Sequence, residues 1–306
     1  MKKNKNMLIY LLVFTIMVLW GLNIVILKLL VTELPPATMT AFRVMIAGVT
    51  TLCILMLTRS FRRMTKQEWI YTLLGTLFGV VLHHSLLAIS LTMIDASSAA
   101  LILALVPLTT VILAIFFLGE KLTGARLLGI FLALIGVFFI QGESFTSFHF
   151  SLGEVLIFTS MLVQAISFIF IKKATATIDS KQITTMMFLT GSIGLVILSF
   201  IIEPGSFSQM FTASPFIYVL FIFSGMVVTG FGYIIYNSAI QQIGAGQTVI
   251  FNNFVPFFGV VFSVIFLNEM ITASQVIGFI FVVIGVLFGT GYIEFIFSQR
   301  NRRKNL

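Results

Sequence analysis

Arg43 is the residue least suited to its surroundings. It lies about seven residues into an apolar run over 36–58, roughly 10 Å deep at 1.5 Å of helix rise per residue. A charge at such depth costs a few kcal/mol on insertion scales, so it needs a partner. No Asp or Glu stands at comparable depth in the middle of any apolar run. A guanidinium so placed either donates to carbonyls at a helix end or receives an anionic group, carboxylate or phosphate, from outside the chain. His83 and His84 follow in the run over 69–90. Histidine titrates near neutral pH and can relay protons, while a neutral ring hydrogen-bonded between helices is the plainer alternative. Adjacent helical positions point roughly 100° apart, so at most one of the pair faces a central space directly. No metal-ligand spacing surrounds them, and no metal or cofactor is expected.

Other polar groups are scattered through equally apolar sequence: Trp20, Asn23, Gln164, Tyr233, Tyr236, Asn237, Asn252 and Asn253. Tyr233 shares a helix face with Tyr236 and Asn237, three and four positions on. With Trp20 these amides and phenols suit a lining for a zwitterionic or aromatic molecule. Hydrogen bonds between helices and tyrosines at a membrane interface would use the same residue types. Lys28 lies near the end of its apolar run and can snorkel to water.

The elements that must hold these groups are helices in a bilayer. Hydrophobic residues make up 59% of the 306 and charged residues 9%, against about 25% charged in soluble domains. Ten runs approach the 20 or so residues needed to cross the hydrocarbon core: 7–30, 36–58, 69–90, 95–118, 122–140, 150–173, 181–202, 215–237, 244–267 and 271–293. Assigning the intervening segments alternately to two sides puts every basic residue except Lys28 and Arg43 on one side. That side is expected to be cytoplasmic, with both termini on it, in a plasma membrane. The net charge of +8 is then met by anionic lipid headgroups and requires no nucleic acid. The opening run is too long for a cleaved signal peptide and lacks its cleavage site. A single cysteine, Cys53, excludes an intrachain disulfide.

An eighteen-residue phrase occurs twice, VPLTTVILAIFFLGEKLT at Val106–Thr123 and VPFFGVVFSVIFLNEMIT at Val255–Thr272, 149 positions apart. Each copy belongs to five apolar runs, over 7–140 and 150–293, ahead of a basic tail over 294–306. An odd number of spans per copy gives the copies opposite orientations, so the fold class expected is all-α integral membrane, ten helices in two inverted five-helix repeats. Pro107 and Pro256 interrupt the fourth run of each copy and should free the carbonyls of Leu103 and Asn252. Glu120 and Glu269 end the same runs, placed to cap the N-terminus of the helix that follows in each copy, with proton binding as the other reading. Gly129 and Gly136, like Gly278 and Gly285, recur seven apart, marking the fifth helices as close-packing elements or as a homodimer contact.

The paired phrases, P…GE-K-L-T and P…NE-M-I-T with G-x6-G after each, resemble the signature of the EamA family of the drug/metabolite transporter superfamily. W-G-L-N at Trp20–Asn23, then Lys28 and Arg43, resemble the opening of that domain, and Q-A-I-S from Gln164 its second copy. The resemblance implies a ten-helix alternating-access carrier with a central cavity between the halves. It leaves the cargo open among amino acids, other metabolites and drugs. The second copy lacks the tryptophan and carries Met187 near the position equivalent to Arg43, so a symmetric site is not expected.

The expectation is a secondary exporter of small polar metabolites such as amino acids, with efflux of drugs as the alternative within transport and a receptor or scaffold as the alternative outside it. Coupling to protons through a histidine, facilitated diffusion and substrate exchange stay open. No acidic residue lies in the first run, unlike small multidrug pumps, and no nucleotide-binding loop or hydrolase motif is present.

Overall fold

The computed structural model describes residues 2–118, 122–140, 151–243 and 251–289. Ten helices cross it. In chain order they are α1 Lys2–Glu33, α2 Pro36–Leu57, α3 Lys66–Ser90, α4 Ala96–Leu103 with Val106–Leu118, α5 Gly124–Ile140, α6 Leu152–Ala174, α7 Ser180–Ile202, α8 Pro215–Ile222 continuing to Ile243, α9 Phe254–Leu267, and α10 Ala273–Gly289. Seven are long and apolar enough to span a membrane, and α5, α9 and α10 are shorter apolar helices. Local chemistry sets their starts. Pro36 and Pro215 occupy first-turn positions where an amide would be unpaired anyway. Reciprocal capping boxes, Thr65 with Glu68 and Ser151 with Glu154, open α3 and α6. Outward faces are apolar, with Leu57, Phe116, Phe131, Ile201 and Val219 exposed, as lipid contact requires.

Contacts at the helix ends show that the halves are inverted. One end brings together Glu33 with Ser214, Glu203 with Ala37 and Thr38, and Glu269 with Ala96 and Ser97. The opposite end brings Arg62 and Glu68 onto Thr177 and Gln182. The first connection of the first half therefore lies at one end and the first connection of the second half at the other. The side-by-side pairings obey the same symmetry: α1 packs on α9 as α6 packs on α4, α3 on α6 as α8 on α1, and α2–α7 and α5–α10 pair with themselves.

The glycines of α5 and α10 are used inside the chain. A Cβ on Gly285 would lie 2.7 Å from both the Ala133 amide and the Gly129 carbonyl, and one on Gly136 would lie 2.6 Å from the Gly278 carbonyl. Backbones this close need hydrogen in place of a side chain. The stripe thus joins the two halves.

Two expectations about local structure change. Glu269 does not cap α10. Thr272 and Gln275 do that for themselves, the Gln275 amide donating to Thr272 Oγ1 at 3.2 Å and Gln275 Oε1 accepting from the Thr272 amide at 3.0 Å. Glu269 caps α4 of the other half, because inversion brings the end of α9 to the start of α4. Glu120, its counterpart, lies outside the described residues. Pro256 falls in the first turn of α9, after a short 3-10 turn at Phe251–Asn253, so the Asn252 carbonyl has no interior α-helical bond to lose there. Pro107 does coincide with a break, a turn at Ala104 and Leu105 in which the Leu105 amide bonds Ile102 at 3.1 Å. Residues 244–250 of the ninth expected span and the basic tail lie outside the described residues.

Candidate functional site

The third helix of each half carries a π-helical stretch, Leu77–Leu82 in α3 and Phe223–Phe231 in α8. A π turn holds an extra residue, shifts the side chains that follow it and frees backbone groups, and such turns recur at functional sites. Aligning the starts of the two stretches, Leu77 with Phe223, places Thr229 at the position of His83 and Gly230 at that of His84. The duplicated positions have diverged, two histidines in one copy and threonine–glycine in the other.

Arg43 joins the two. Its side chain is 1% exposed. Nη1 donates to Thr229 Oγ1 at 2.9 Å, and Nη2 approaches His84 Nδ1 at 3.4 Å. The partners are thus side chains from both halves, neither helix-end carbonyls nor a carboxylate. A guanidinium can only donate, so His84 Nδ1 accepts and the ring hydrogen of a neutral His84 sits on Nε2. Arg43 Nε and His84 Nε2 are both buried without a hydrogen-bond partner. Each such unpaired buried donor costs about 1–3 kcal/mol.

His83 is employed differently. Its Nδ1 meets Ser160 Oγ at 2.8 Å on α6, and the Ser160 hydroxyl also lies 3.0 Å from the His83 carbonyl. The rings of His83 and His84 are 4.9 Å apart. One histidine is therefore spent on packing α3 against α6 while its neighbour meets Arg43, as helical spacing required.

Trp20 reaches the other π stretch. Its Nε1–H donates to the Val228 carbonyl at 3.1 Å, and its ring lies 5.0 Å from Tyr233 and 5.1 Å from Tyr236. Gly232 makes room for the indole, because a Cβ there would stand 3.0 Å from Nε1. Tyr236 accepts from Asn252 Nδ2 at 2.9 Å, leaving Asn252 Oδ1 buried and unpaired. Gln164, one turn beyond Ser160 on α6, also buries an unpaired Oε1. Asn23 accepts from Ser224 Oγ at 2.6 Å and so ties α1 to α8. Asn253 precedes the first turn of α9 without a side-chain cap, and the Asn237 side chain lies outside the described residues. Lys28 is away from this cluster and donates to the Leu91 and Ile94 carbonyls at the end of α3.

The structure therefore brings Trp20, Tyr233, Tyr236 and Asn252 into one contact chain and Arg43, His84, His83 and Ser160 into another. The chains meet at Val228 and Thr229, neighbours in the α8 π stretch. Sequence reading missed Thr229 and Ser160, two small hydroxyl residues in apolar helices. The glycines at 225, 230 and 232 around Thr229 were the available signal.

The EamA-like transporter family matches residues 7–142 and again 151–290, one domain to each half. The chain belongs to the EamA-like transporter family. It is a multi-pass membrane transporter of the drug/metabolite transporter superfamily, and not an enzyme. Among similar proteins is the uncharacterized transporter YyaM of Bacillus subtilis (strain 168), 28% identical, the alignment covering 95% of this chain and 96% of that one. A probable amino-acid metabolite efflux pump of Escherichia coli (strain K12) is 23% identical, with 89% and 91% covered. A protein of known crystal structure shares the fold at a TM-score of 0.68 and 18% identity, covering 92% of this chain and 98% of that chain.

Proposed function

We propose that this EamA transporter is a secondary exporter of small polar metabolites carrying a carboxylate, amino acids among them, and that Arg43 with His84 receives the carboxylate. The observation that carries this reading is the pair of open donors, Arg43 Nε and His84 Nε2, beside a buried cation that has no carboxylate among its described partners. An incoming carboxylate would accept from one of these donors and neutralise the charge at the place where the two halves touch. Trp20, Tyr233 and Tyr236 would face the rest of the substrate, with Asn252 Oδ1 and Gln164 Oε1 as acceptors for its N–H or O–H groups. Alternating access would rock the two five-helix halves about this point. Placing the basic end in the cytoplasm, with both termini there, follows the positive-inside rule. The name of the Escherichia coli relative agrees with export of amino-acid metabolites.

The test is mass spectrometry of spent medium from cells producing the native chain, Arg43→Ala or neither. The proposal expects a class of carboxylated metabolites to accumulate outside with the native chain only. Equal accumulation with Arg43→Ala would remove the anion seat and favour efflux of apolar drugs, which need no such clamp.

A further inference from the structure

The turn between α3 and α4, residues 91–95, is held from two directions. From α1, Lys28 Nζ donates to the Leu91 and Ile94 carbonyls at 2.8 and 2.7 Å, a cation on the C-terminal end of α3. From the second half, the Glu269 carboxylate accepts from the Ala96 and Ser97 amides at 2.8 Å each, an anion on the N-terminal end of α4. Each charge complements the helix end it meets. The clamps differ in reach, because Lys28 stays within its own half whereas Glu269 crosses to the other.

The segment under Glu269 is a short helix set off by a turn. Ala96–Leu103 is a short helix ended by the turn at Ala104 and Leu105, with Pro107 just beyond. Ala96, Ala99 and Ala100 are buried, and Ala100 is so close to Gly259 of α9 that a Cβ there would stand 2.9 Å from its own. Glu269 sits on the connector after α9, which ends at Asn268 with φ 55°, and its own amide reaches the Ser263 carbonyl only at 3.4 Å. The carboxylate cap ties this connector to α4 by two hydrogen bonds.

Two other carboxylates cross between halves at this end, in different settings. Glu203 accepts from Ala37, Thr38 and the Thr38 hydroxyl, on the seam where α2 and α7 pack along their lengths. Glu33 holds Ser214, the residue before α8. α2 under Glu203 runs unbroken to Leu57, and α8 after Ser214 passes into its π stretch without the turn that interrupts α4 at Ala104 and Leu105.

We propose that Glu269 is a releasable latch. Bound to α4 it keeps this end of the carrier closed; freed, it lets Ala96–Leu103 swing about the Ala104–Leu105 turn while Lys28 carries the α3–α4 turn with α1. The inference rests on the chain being a two-half carrier and is independent of what is carried.

The experiment measures the distance between spin labels at Thr92 and Met270, both exposed, by pulsed electron resonance on full-length protein in lipid nanodiscs, with Cys53→Ser removing the native thiol. The otherwise native protein should give a dominant short distance. Glu269→Gln sets an amide N–H2 against backbone donors and should shift the population to a longer distance. Ala96→Pro attacks the same contact from the other side. It deletes one donor where Asp95, at φ −70° and ψ 151°, already has the backbone that a residue before proline adopts. Glu203→Gln should leave the distribution unchanged. Native distributions in both Glu269→Gln and Ala96→Pro, or an equal shift in Glu203→Gln, would overturn the latch. A shift in distance with no change in which metabolites are exported would leave it standing while saying nothing for the anion seat.

Discussion

Arg43 of α2 and Thr229 of α8 are hydrogen-bonded across the two halves at 2.9 Å, and Thr229 occupies the position that duplication gives to His83 in the first half. Inversion alone would have made this point symmetric. Divergence has made it polar on one side and cationic at its centre, because the counterpart of Arg43 falls near Met187, a buried apolar residue. On the proposed function, an anionic ligand at this junction would interact differently with the two arrangements of the carrier, which a change of state requires.

Arg43→Lys should impair transport nearly as much as Arg43→Gln. A lysine keeps the charge but cannot fork between Thr229 and His84 while leaving Nε for a ligand. Loss of one charge-assisted hydrogen bond, worth about 1.5–3 kcal/mol, corresponds to roughly tenfold or more in affinity. Concentration dependence of uptake into proteoliposomes checks this, and the apparent affinity should fall in both variants.

His83 and His84 should separate by phenotype. His83→Ala removes the tie to Ser160 and is expected to lower the thermal unfolding midpoint, with Ser160→Ala doing the same. His84→Ala should cost affinity for carboxylates that His83→Ala keeps, beside the stability lost when Arg43 Nη2 is left without its partner. Unfolding in detergent and transport assays on the same preparations compare them.

Trp20→Phe leaves the Val228 carbonyl in the π stretch without its donor, a loss of about 1–3 kcal/mol for a buried group. Gly232→Ala should reproduce the effect by crowding the indole Nε1. Both variants should show reduced thermal stability, and combining them should add little, since each breaks the same bond.

Gly285→Leu should prevent stable folding by forcing α5 and α10 apart, whereas Gly124→Ala, which has open space around it, should be silent. Size-exclusion profiles of the two variants in mild detergent give the comparison.

The membrane class, the ten helices and the duplication were legible because they depend on composition and on a repeated phrase. Arg43 could be singled out because charge in an apolar run is rare. Its partners could not, since they come from α3 and α8 and depend on two π stretches that leave no mark in hydrophobic periodicity. Glu269 shows the same limit from another side. Sequence neighbours suggested a cap on α10, but inversion placed the carboxylate against the start of α4, some 170 positions away in the chain. The glycine spacing was legible as close packing, while the identity of the opposite surface was not.

Trp20 offers the most direct test of the anion seat. Trp69→Phe leaves Trp20 as the sole tryptophan, bonded to the residue beside Thr229. Its fluorescence would be followed while the purified protein is titrated with each of the common amino acids and with the matching amino-acid amides. The proposal expects a saturable change with at least one amino acid, weakened at least about tenfold for its amide and abolished by Arg43→Gln. Equal responses to acid and amide, or a response that survives Arg43→Gln, would contradict it.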